Sequence, residues 1–337
     1  MPASMSRYRL SVLDQSPVAA GRSPADAIAE TLALAKHVEA LGYERFWVSE
    51  HHATPSFAGT CPELLMASLA AQTSTIRIGA GGVMLMHDSA LEVAEHFAML
   101  ETLYPGRIDL GIGRAPGADP LGAEALSPTG RPDLEQRQFE QKLHDLLGFL
   151  RGELPRDHPH ASLIAMPTGA GLPQPWLLGS GTGSAMLAAR LGWNFCFAHF
   201  IGGATGIEVV DAYREAFVPS AWAPAPRVAV GAFVLAADDD ASAERLVSST
   251  ELWFLALQQG RRIPFPAPED ALAHEWTPIE QALRQRMRSL RIHGGPDGVR
   301  RGLRRLTKLY ETDELVIVTI THDPSARQRS YEILAAL

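Results

Sequence analysis

The sequence predicts a single (β/α)8 TIM barrel, formed by one domain over residues 1–337, with insertions after the fourth helix and after the seventh strand. Eight short apolar strand candidates recur along the chain, and most are followed by a segment in which apolar residues have helical spacing. In addition, the most distinctive polar and glycine-rich residues directly follow strands, where such a barrel places its ligand-binding groups. A doubly wound sheet of two halves fits the same alternation and remains the alternative.

The bounds of the predicted elements follow from apolar runs, caps and turns. Capping boxes, which start helices, are expected at Ser23-Pro24-Ala25-Asp26 and at Thr60-Cys61-Pro62-Glu63. The insertions are a Pro/Gly-rich loop over 155–175 and an irregular region over 241–296 that holds helical pieces. The predicted strands are 10–13, 46–49, 76–85, 108–112, a strand that begins at 176, 194–198, 227–236 and 314–320; predicted helices include 90–103, 134–150 and 323–337.

Composition limits the class of protein. With 46% hydrophobic residues in a chain of 337, the sequence can bury a large core. The formal net charge of −8 argues against nucleic acid and anionic membranes as partners. The chain has only two cysteines, no recognisable signal peptide and no apolar run near the roughly 18 residues of a membrane span, so we expect a cytoplasmic protein.

The fifth strand leads into a small-residue turn, Gly179-Ser180-Gly181-Thr182-Gly183-Ser184, and then into a helix that continues to Leu191. Its glycines allow the backbone to approach a ligand closely. The hydroxyls of Ser180, Thr182 and Ser184, together with free N–H groups at the helix start, suit a phosphate. The turn matches neither Walker A nor the dinucleotide fingerprint. A flexible turn capped by Ser184 explains the same residues equally well.

Candidate catalytic and binding residues follow other strands. His51 and His52 come after the second strand, and histidine titrates near neutral pH, which suits proton transfer. Arg114 comes after the fourth strand and offers a planar fork of donors to a phosphate. A surface ion pair with Asp109 or Asp119 is the alternative for Arg114.

Several further polar residues have weaker signals. Asp14, His87, Asp88 and His199 are candidates for a substrate pocket, although ordinary loop roles fit them as well. The spacing of histidines and acids matches no zinc pattern, so we predict no metal site. Cys61 is expected to be a small core-facing residue rather than an acidified thiol.

Segments spread along nearly the whole chain resemble the bacterial-luciferase-like flavin-dependent monooxygenases. The resemblance extends from Arg9 to Ala335 and is specific for the superfamily but not for a substrate. The segments that carry it are Ser49-Glu50-His51-His52, Arg77-Ile78-Gly79-Ala80-Gly81-Gly82-Val83-Met84-Leu85, Ala94-Glu95, Pro105-Gly106-Arg107-Ile108-Asp109-Leu110-Gly111-Ile112-Gly113-Arg114, Asp313-Glu314-Leu315 and Ser330-Tyr331-Glu332-Ile333-Leu334-Ala335.

This resemblance implies a barrel that binds reduced FMN, supplied by a separate NAD(P)H:flavin reductase. It implies that reduced flavin and O2 form a flavin peroxide, which attacks a small organic substrate such as an aldehyde or ketone. It also implies a homodimer built from the helices after strands two and three. By position, the resemblance places His51 as the catalytic histidine with His52 beside it, Gly81-Gly82 at a non-prolyl cis peptide under the isoalloxazine ring, and Arg114, Ser180, Gly181 and Ser184 at the flavin phosphate.

The chain also departs from the family. The family's Leu-Pro-His-Tyr-Ser-Pro is here Leu85-Met86-His87-Asp88-Ser89-Ala90, so a looser, more acidic pocket wall is expected. The proline-rich segment 263–268 is predicted to be part of a mobile lid, and the arginine-rich run over 284–305 to be a solvated helix face. A deazaflavin-dependent dehydrogenase and a flavin-binding protein without turnover are the competing functions, and Glu50-His51-His52 favours FMN and O2.

Overall fold

A computed structural model of the protein describes residues 8–115 and 117–337. The strands of the described chain form one parallel sheet. They are β1 (Arg9–Asp14), β2 (Arg45–Val48), β3 (Arg77–Ala80), β4 (Ile108–Ile112), β5 (Gln174–Gly179), β6 (Asn194–Ala198), β7 (Val228–Ala236), β8 (Arg291–Gly294) and β9 (Glu314–Val318).

Eight of these strands close into a ring. Each pairs with the next in the order β1-β2-β3-β4-β5-β6-β7-β9, and β9 pairs back with β1. The short strand β8 pairs with the C-terminal half of β7 and stands outside the ring. A closed parallel ring with helices around it is a (β/α)8 TIM barrel, which confirms the predicted fold class. The doubly wound alternative is excluded because its sheet would be open.

The helices surround this ring. Helix α1 starts at the predicted capping box, where Ser23 Oγ accepts a hydrogen bond from the Asp26 N–H, and Gly42, with a φ of 84°, follows its end. In the described chain no helix combines the length and the apolar character needed to cross a membrane. The helices are α1 (Pro24–Ala40), α2 (Pro62–Gln72), α3 (Ala90–Leu103), α4 (Pro120–Leu126), α5 (Pro132–Arg151), α6 (Thr182–Leu191), α7 (His199–Gly202), α8 (Gly206–Glu215), α9 (Asp240–Gln258), α10 (Pro268–Ala273), α11 (Pro278–Arg288), α12 (Pro296–Tyr310) and α13 (Pro324–Ala335).

Two expectations about these elements are wrong, and a third is incomplete. The second capping box does not form, because α2 begins after Cys61, whose side chain makes no capping hydrogen bond. The third strand ends at Ala80 rather than at residue 85. In the region 241–296 the expected helical pieces are α9, α10 and α11, whereas the strand β8 was not expected. Helix α9 lacks a clear apolar stripe because its buried face includes Ser248, Ser249, Thr250 and Glu251.

The N-terminal end of the barrel is filled by paired charges. Arg45 donates from Nη1 to Asp109 at 2.8 Å and from Nε to Glu314 at 3.2 Å, and all three side chains are buried. Trp47 Nε1 donates to the same carboxylate of Asp109 at 2.9 Å, and the Arg45 guanidinium lies 5.1 Å from the Trp176 ring. We call Arg45, Trp47, Asp109 and Glu314 the ionic floor. Its charges and donors satisfy one another inside the protein.

Candidate active site

A cavity of about 420 Å³ opens at the C-terminal ends of the strands, opposite the ionic floor. All eight ring strands, or the segments that directly follow them, contribute to its lining. We call it the mouth cavity; it lies where a barrel of this type places its ligand. The predicted site residues that line it are His51, Gly81, Gly82, Arg114, Ser180, Gly181 and Ser184.

One end of the mouth cavity is the start of α6. Gly181 is the N-cap, no side chain caps the helix, and a Cβ added to Gly181 would meet nothing within 4 Å. The first N–H groups of α6 therefore face open space and carry the positive end of the helix dipole. Ser184 is buried and packs against Gly179, where an added Cβ would lie 2.5 Å from the Ser184 Cβ. This packing holds the helix start close to the end of β5.

Arg114 lies beside the same helix start. A Cβ added to Gly183 would lie 3.1 Å from Arg114 Nη1, so the guanidinium sits next to the first turn of α6. The alternative ion pairs are not made: Asp109 accepts from Arg45 and Arg77, and Asp119 caps α4 and pairs with Arg262. Within residues 8–115 and 117–337, Arg114 forms no ion pair at all. An exposed cation without a protein partner, next to a free helix N-terminus, is suited to bind an anion.

A flat wall of backbone lies between these groups and the second strand. The Gly81–Gly82 peptide bond is cis, as the resemblance implied. A Cβ added to Gly82 would lie 2.7 Å from the Gly113 nitrogen and 2.8 Å from the Gly111 carbonyl oxygen. Only glycine fits at this position, because Gly82 packs directly against the backbone that follows β4, and Gly81 and Gly82 both line the cavity.

His51 lies at the other side of the cavity and is held in place by two contacts. Its Nδ1 is 3.0 Å from Ser49 Oγ, and its ring stacks on Phe57 with ring centres 4.5 Å apart. Burial, with a smaller contribution from neighbouring His52, lowers the pKa of His51 to about 4. The imidazole is therefore neutral near pH 7. Nε2 has no hydrogen-bond partner in the described part of the chain and is free for a ligand.

His52 is placed differently. Its Nε2 is 2.8 Å from Glu50 Oε1, and this hydrogen bond raises the pKa of His52. Glu50 also accepts from the Met84 N–H at 2.9 Å, which ties the segment after Gly82 to the end of β2. The His52 ring lines a separate cavity of about 380 Å³, together with His87, Asp88 and Glu63. A catalytic role for His52 stays a prediction that this placement does not support.

The remaining predicted pocket residues lie outside the mouth cavity. His87 and Asp88 line the same separate cavity as His52, where burial and the neighbouring carboxylates raise the pKa of Asp88 to about 7. Asp14 does not line a pocket; it is buried and pairs with Arg327 at 3.1 Å. His199 lines a third cavity, described below. Thr182 is exposed at the first position of α6 and does not line the mouth cavity.

The two cysteines are both free. Cys61 is exposed rather than core-facing, and burial of part of its side chain raises the thiol pKa, so it is not acidified. Cys196 is buried and contributes to the wall of the mouth cavity. No group of three or more His, Cys, Asp and Glu within 8–115 and 117–337 is arranged to hold a metal ion.

The proline-rich segment is anchored rather than free. Phe265 is fully buried, exchanges backbone hydrogen bonds with the segment around Val18, and packs on Phe57. Trp253 stacks on Phe265 with ring centres 4.7 Å apart and contacts Phe57 as well. This packing does not support the predicted mobile lid, and the segment forms an aromatic support behind His51.

Some lining residues were not expected from the sequence. Ser49 was part of a recognised motif, but nothing in the sequence showed that its hydroxyl would contact His51. Gln136 comes from α5, which is separated from β4 by α4, and Phe200 and Ile201 come from α7, directly after β6, but are apolar and gave no polar signal. The spacing of residues around strand ends could not identify them.

Relatives of known sequence match the whole chain. A family model described as luciferase-like monooxygenase matches residues 8–312. The Bacillus subtilis protein YwcH, described as uncharacterized, is 43% identical over 328 residues, which cover 96% of this chain and 97% of that protein. N-acetyl-S-alkylcysteine monooxygenase of B. subtilis is 38% identical over 330 residues, 97% of each chain. The luciferase-like monooxygenase of Escherichia coli K12 is 36% identical over 324 residues, 96% of this chain and 95% of that protein.

Solved structures agree with the architecture. The crystal structure of apo-MsnO8 superposes with a TM-score of 0.89 at 37% identity, over 98% of both chains. The oxygenating constituent of 3,6-diketocamphane monooxygenase from Pseudomonas putida, in complex with FMN, superposes with a TM-score of 0.70 at 19% identity, over 98% of this chain and 97% of that chain. An F420-dependent secondary alcohol dehydrogenase with an F420–acetone adduct superposes with a TM-score of 0.71 at 14% identity, over 98% of this chain and 99% of that chain. At such low identity, these last two structures show the fold alone. The barrel, the family model and the full-length relatives together lead to one conclusion: this chain belongs to the luciferase-like monooxygenase family and is an oxidoreductase.

Proposed function

We propose that the protein is an FMN-dependent monooxygenase that uses reduced flavin and O2 to oxygenate a small organic substrate, such as an aldehyde or ketone. The observation that carries this proposal is one cavity with an anion-binding end, Arg114 and the start of α6, and a neutral histidine, His51, at its other side. The Gly81–Gly82 wall lies between them.

The residues present fit FMN at the phosphate end. The cradle comprises free N–H groups of α6, the hydroxyls of Ser180 and Ser184, and the unpaired guanidinium of Arg114. These donors match the terminal oxygens of a phosphate. Gly81 and Gly82 line the cavity without a side chain of their own, which leaves room for a flat ring beside them. Bound FMN in its reduced form would supply the electrons that activate O2.

His51 would hold and move the proton that the reaction needs. Its Nε2 is free in the cavity, while Ser49 fixes Nδ1. Since a hydroxyl can donate or accept, Ser49 supports either tautomer of the neutral ring. His51 can thus accept a proton at Nε2 or donate one from it without losing its orientation.

The other walls bear on the substrate and on cofactor exchange. The apolar lining residues of the cavity include Leu13, Met84, Leu178 and Val316, so an uncharged substrate group avoids a desolvation penalty there.

Gly181 is exposed, so the phosphate end is open to solvent. A cofactor that enters and leaves through this opening can be reduced elsewhere, which supports a separate NAD(P)H:flavin reductase as partner.

Anaerobic titration tests the choice of cofactor. The protein should bind reduced FMN more tightly than reduced F420, and addition of O2 with an aldehyde, ketone or thioether panel should give oxygenated product. Tighter binding of F420 together with hydride transfer to a ketone would replace the proposal by the deazaflavin dehydrogenase. Tight FMN binding without product across the panel would favour a binding protein.

The His51→Gln variant tests the proton-transfer role. We expect product formation to fall by about 100- to 10,000-fold, the usual contribution of general acid–base catalysis, while FMN affinity stays unchanged. His52→Gln is the matched control, because its ring lies in a different cavity. Equal losses in both variants would contradict the assignment to His51. Product yield per FMN oxidised measures the outcome.

We also propose a homodimer that acts in the cytoplasm. Leu64 on α2 and Met99 and Leu103 on α3 are exposed apolar side chains, 74%, 50% and 55% accessible, and Ile164 and Met166 extend the apolar surface. Burying such a surface against a second copy would stabilise the pair. Light scattering should give twice the mass of the chain, and Met99→Glu with Leu103→Glu should give the monomer. A monomeric native protein would refute the dimer.

A further inference from the structure

A third cavity lies beside the mouth cavity, on the other side of α7. It has a volume of about 280 Å³, and its polar lining consists of His199, Ser289, Arg291 and Arg305. Of the described residues that line it, none is acidic. We call it the basic side cavity. Basic groups around a small cavity without a carboxylate create a positive potential that concentrates anions.

Arg291, the first residue of β8, is held in place but lacks a counter-ion. Its Nη1 donates to Thr250 Oγ1 at 2.8 Å, and its guanidinium lies 5.0 Å from the centre of the Phe233 ring. It makes no ion pair with any described residue. Burial lowers the pKa of Arg291 to about 10, so the surrounding protein does not fully compensate its charge.

Neighbouring arginines show what a compensated site looks like. Arg284 and Arg288, on α11, both pair with the buried carboxylate of Glu251. Glu251 thus forms ion pairs with two arginines of α11, whereas it attracts Arg291, three residues after Arg288, without forming an ion pair with it. Arg291 lines a cavity that has no carboxylate in its described lining and forms no ion pair of its own, so an external anion there can supply the missing charge.

Arg305 and His199 face the same space. Arg305 is exposed on α12 and makes no ion pair within the described ranges. His199 Nδ1 is 2.8 Å from the Tyr310 hydroxyl, which leaves Nε2 without a hydrogen-bond partner in this part of the chain. Burial and the nearby Arg305 lower the pKa of His199, so a bound anion would favour its protonation and gain a further donor.

We propose that the basic side cavity binds a small oxyanion, a phosphate or carboxylate group, through Arg291, Arg305 and His199. The planar forks of two arginines suit paired oxygens, and the volume suits a small anion rather than a nucleotide. His199 and Gly203 face this cavity, while Phe200 and Ile201 face the mouth cavity. An anion held here would therefore restrain α7, which forms part of the mouth cavity wall. This site is distinct from the Arg114 cradle and does not depend on the proposed reaction.

Calorimetric titration of the full chain with inorganic phosphate tests the proposal. The Arg114→Gln background removes the proposed flavin phosphate site, and one phosphate site should remain. Adding Arg305→Gln should weaken it by at least about tenfold, the loss expected for a charge-assisted contact. Arg304→Gln is the matched control, because Arg304 is an exposed arginine next in sequence that does not line the cavity. Arg291→Gln should weaken binding at least as much.

Acetate provides the second probe, since it has a carboxylate and no phosphate. Acetate is fully ionised at both pH 6 and pH 8, so it should bind more strongly at pH 6 and its binding should take up protons, because His199 becomes charged. Loss of all phosphate and acetate binding in Arg114→Gln alone would overturn the proposal. So would equal affinities in the Arg305→Gln and Arg304→Gln proteins.

Discussion

The two ends of the barrel use arginine in opposite ways. At the ionic floor, the Arg45 guanidinium contacts two buried carboxylates and lies against an indole ring. At the mouth, the Arg114 guanidinium has no carboxylate partner in the described chain and lies beside an uncapped helix start. The same side chain therefore completes a closed network at one end and leaves an open position at the other.

This difference separates stability from binding. Removal of one member of a buried ion pair destabilises the fold, because the remaining charge is then buried without compensation. A solvent-exposed charge without a partner contributes little to folding but is available to a ligand. The barrel therefore concentrates folding energy at the N-terminal ends of the strands and binding groups at their C-terminal ends. Three experiments test this separation, from the largest expected effect to the smallest.

The Asp109→Ala variant should give the largest effect. Asp109 accepts from Arg45, Trp47 and Arg77, so its removal leaves buried donors without an acceptor. We expect a loss of about 3–5 kcal/mol in the free energy of unfolding, measured by urea denaturation. Asp133→Ala is the control, since Asp133 pairs with arginines at the surface. Equal urea midpoints for the two variants would refute the role of the floor.

The Arg114→Gln variant should change binding without changing stability. We expect FMN affinity to fall by about 10- to 100-fold, since a charge-assisted phosphate contact is lost, while the urea midpoint stays at the native value. Riboflavin, which lacks the phosphate, should bind the variant and the native protein equally well. Fluorescence quenching measures both affinities. A parallel loss of riboflavin binding would show that Arg114 acts on the fold or the ring instead.

Near neutral pH the adjacent histidines should show the smallest effect, in opposite directions. The folded-state pKa of His51 is lowered, so the unfolded chain binds its proton first, and stability falls as pH drops from about 6.5 towards about 4. At pH 6.5 the lowered pKa of His51 reduces the free energy of unfolding by roughly 0.4 kcal/mol. The folded-state pKa of His52 is raised, so its stabilising contribution is present below pH 6.5 and is lost as pH rises through that pKa.

Proton NMR titration of the two rings, with His51→Gln and His52→Gln for assignment, measures both pKa values. His51 should titrate near 4 and His52 above 6.5. If both rings titrate together near 6.5, then neither burial of His51 nor the bond of His52 to Glu50 persists in solution.

The sequence predicted the parts of the fold that depend on local pattern. The bounds of β4, β6 and α3 agree with the predicted 108–112, 194–198 and 90–103, because apolar runs or helical spacing end at clear turns. Strand β8 was missed because it has four residues and carries Arg291 and His293, so it shows no apolar run. It is a strand because it pairs with β7, which is distant from it in sequence.

The candidate site follows the same rule. Arg114 and Ser184 were identified because they follow strands, and the barrel alone brings them to one rim. The resemblance ranked His51 before His52, but the sequence could not show that the two rings line different cavities, because their placement depends on contacts with Glu50 and Phe57. The role of Phe265 was misjudged because prolines beside it suggest a loop, whereas its burial depends on Trp253 and on backbone near Val18.

The Phe265 segment has a consequence for how this barrel can change its chemistry. It belongs to the long excursion between β7 and β9, yet it supports His51 at the far side of the rim through Phe57. Exchange of that excursion between homologous enzymes would remodel the environment of the reacting group while every ring strand kept its register. Grafting this one connection is therefore a direct route to altered reactivity on an unaltered scaffold.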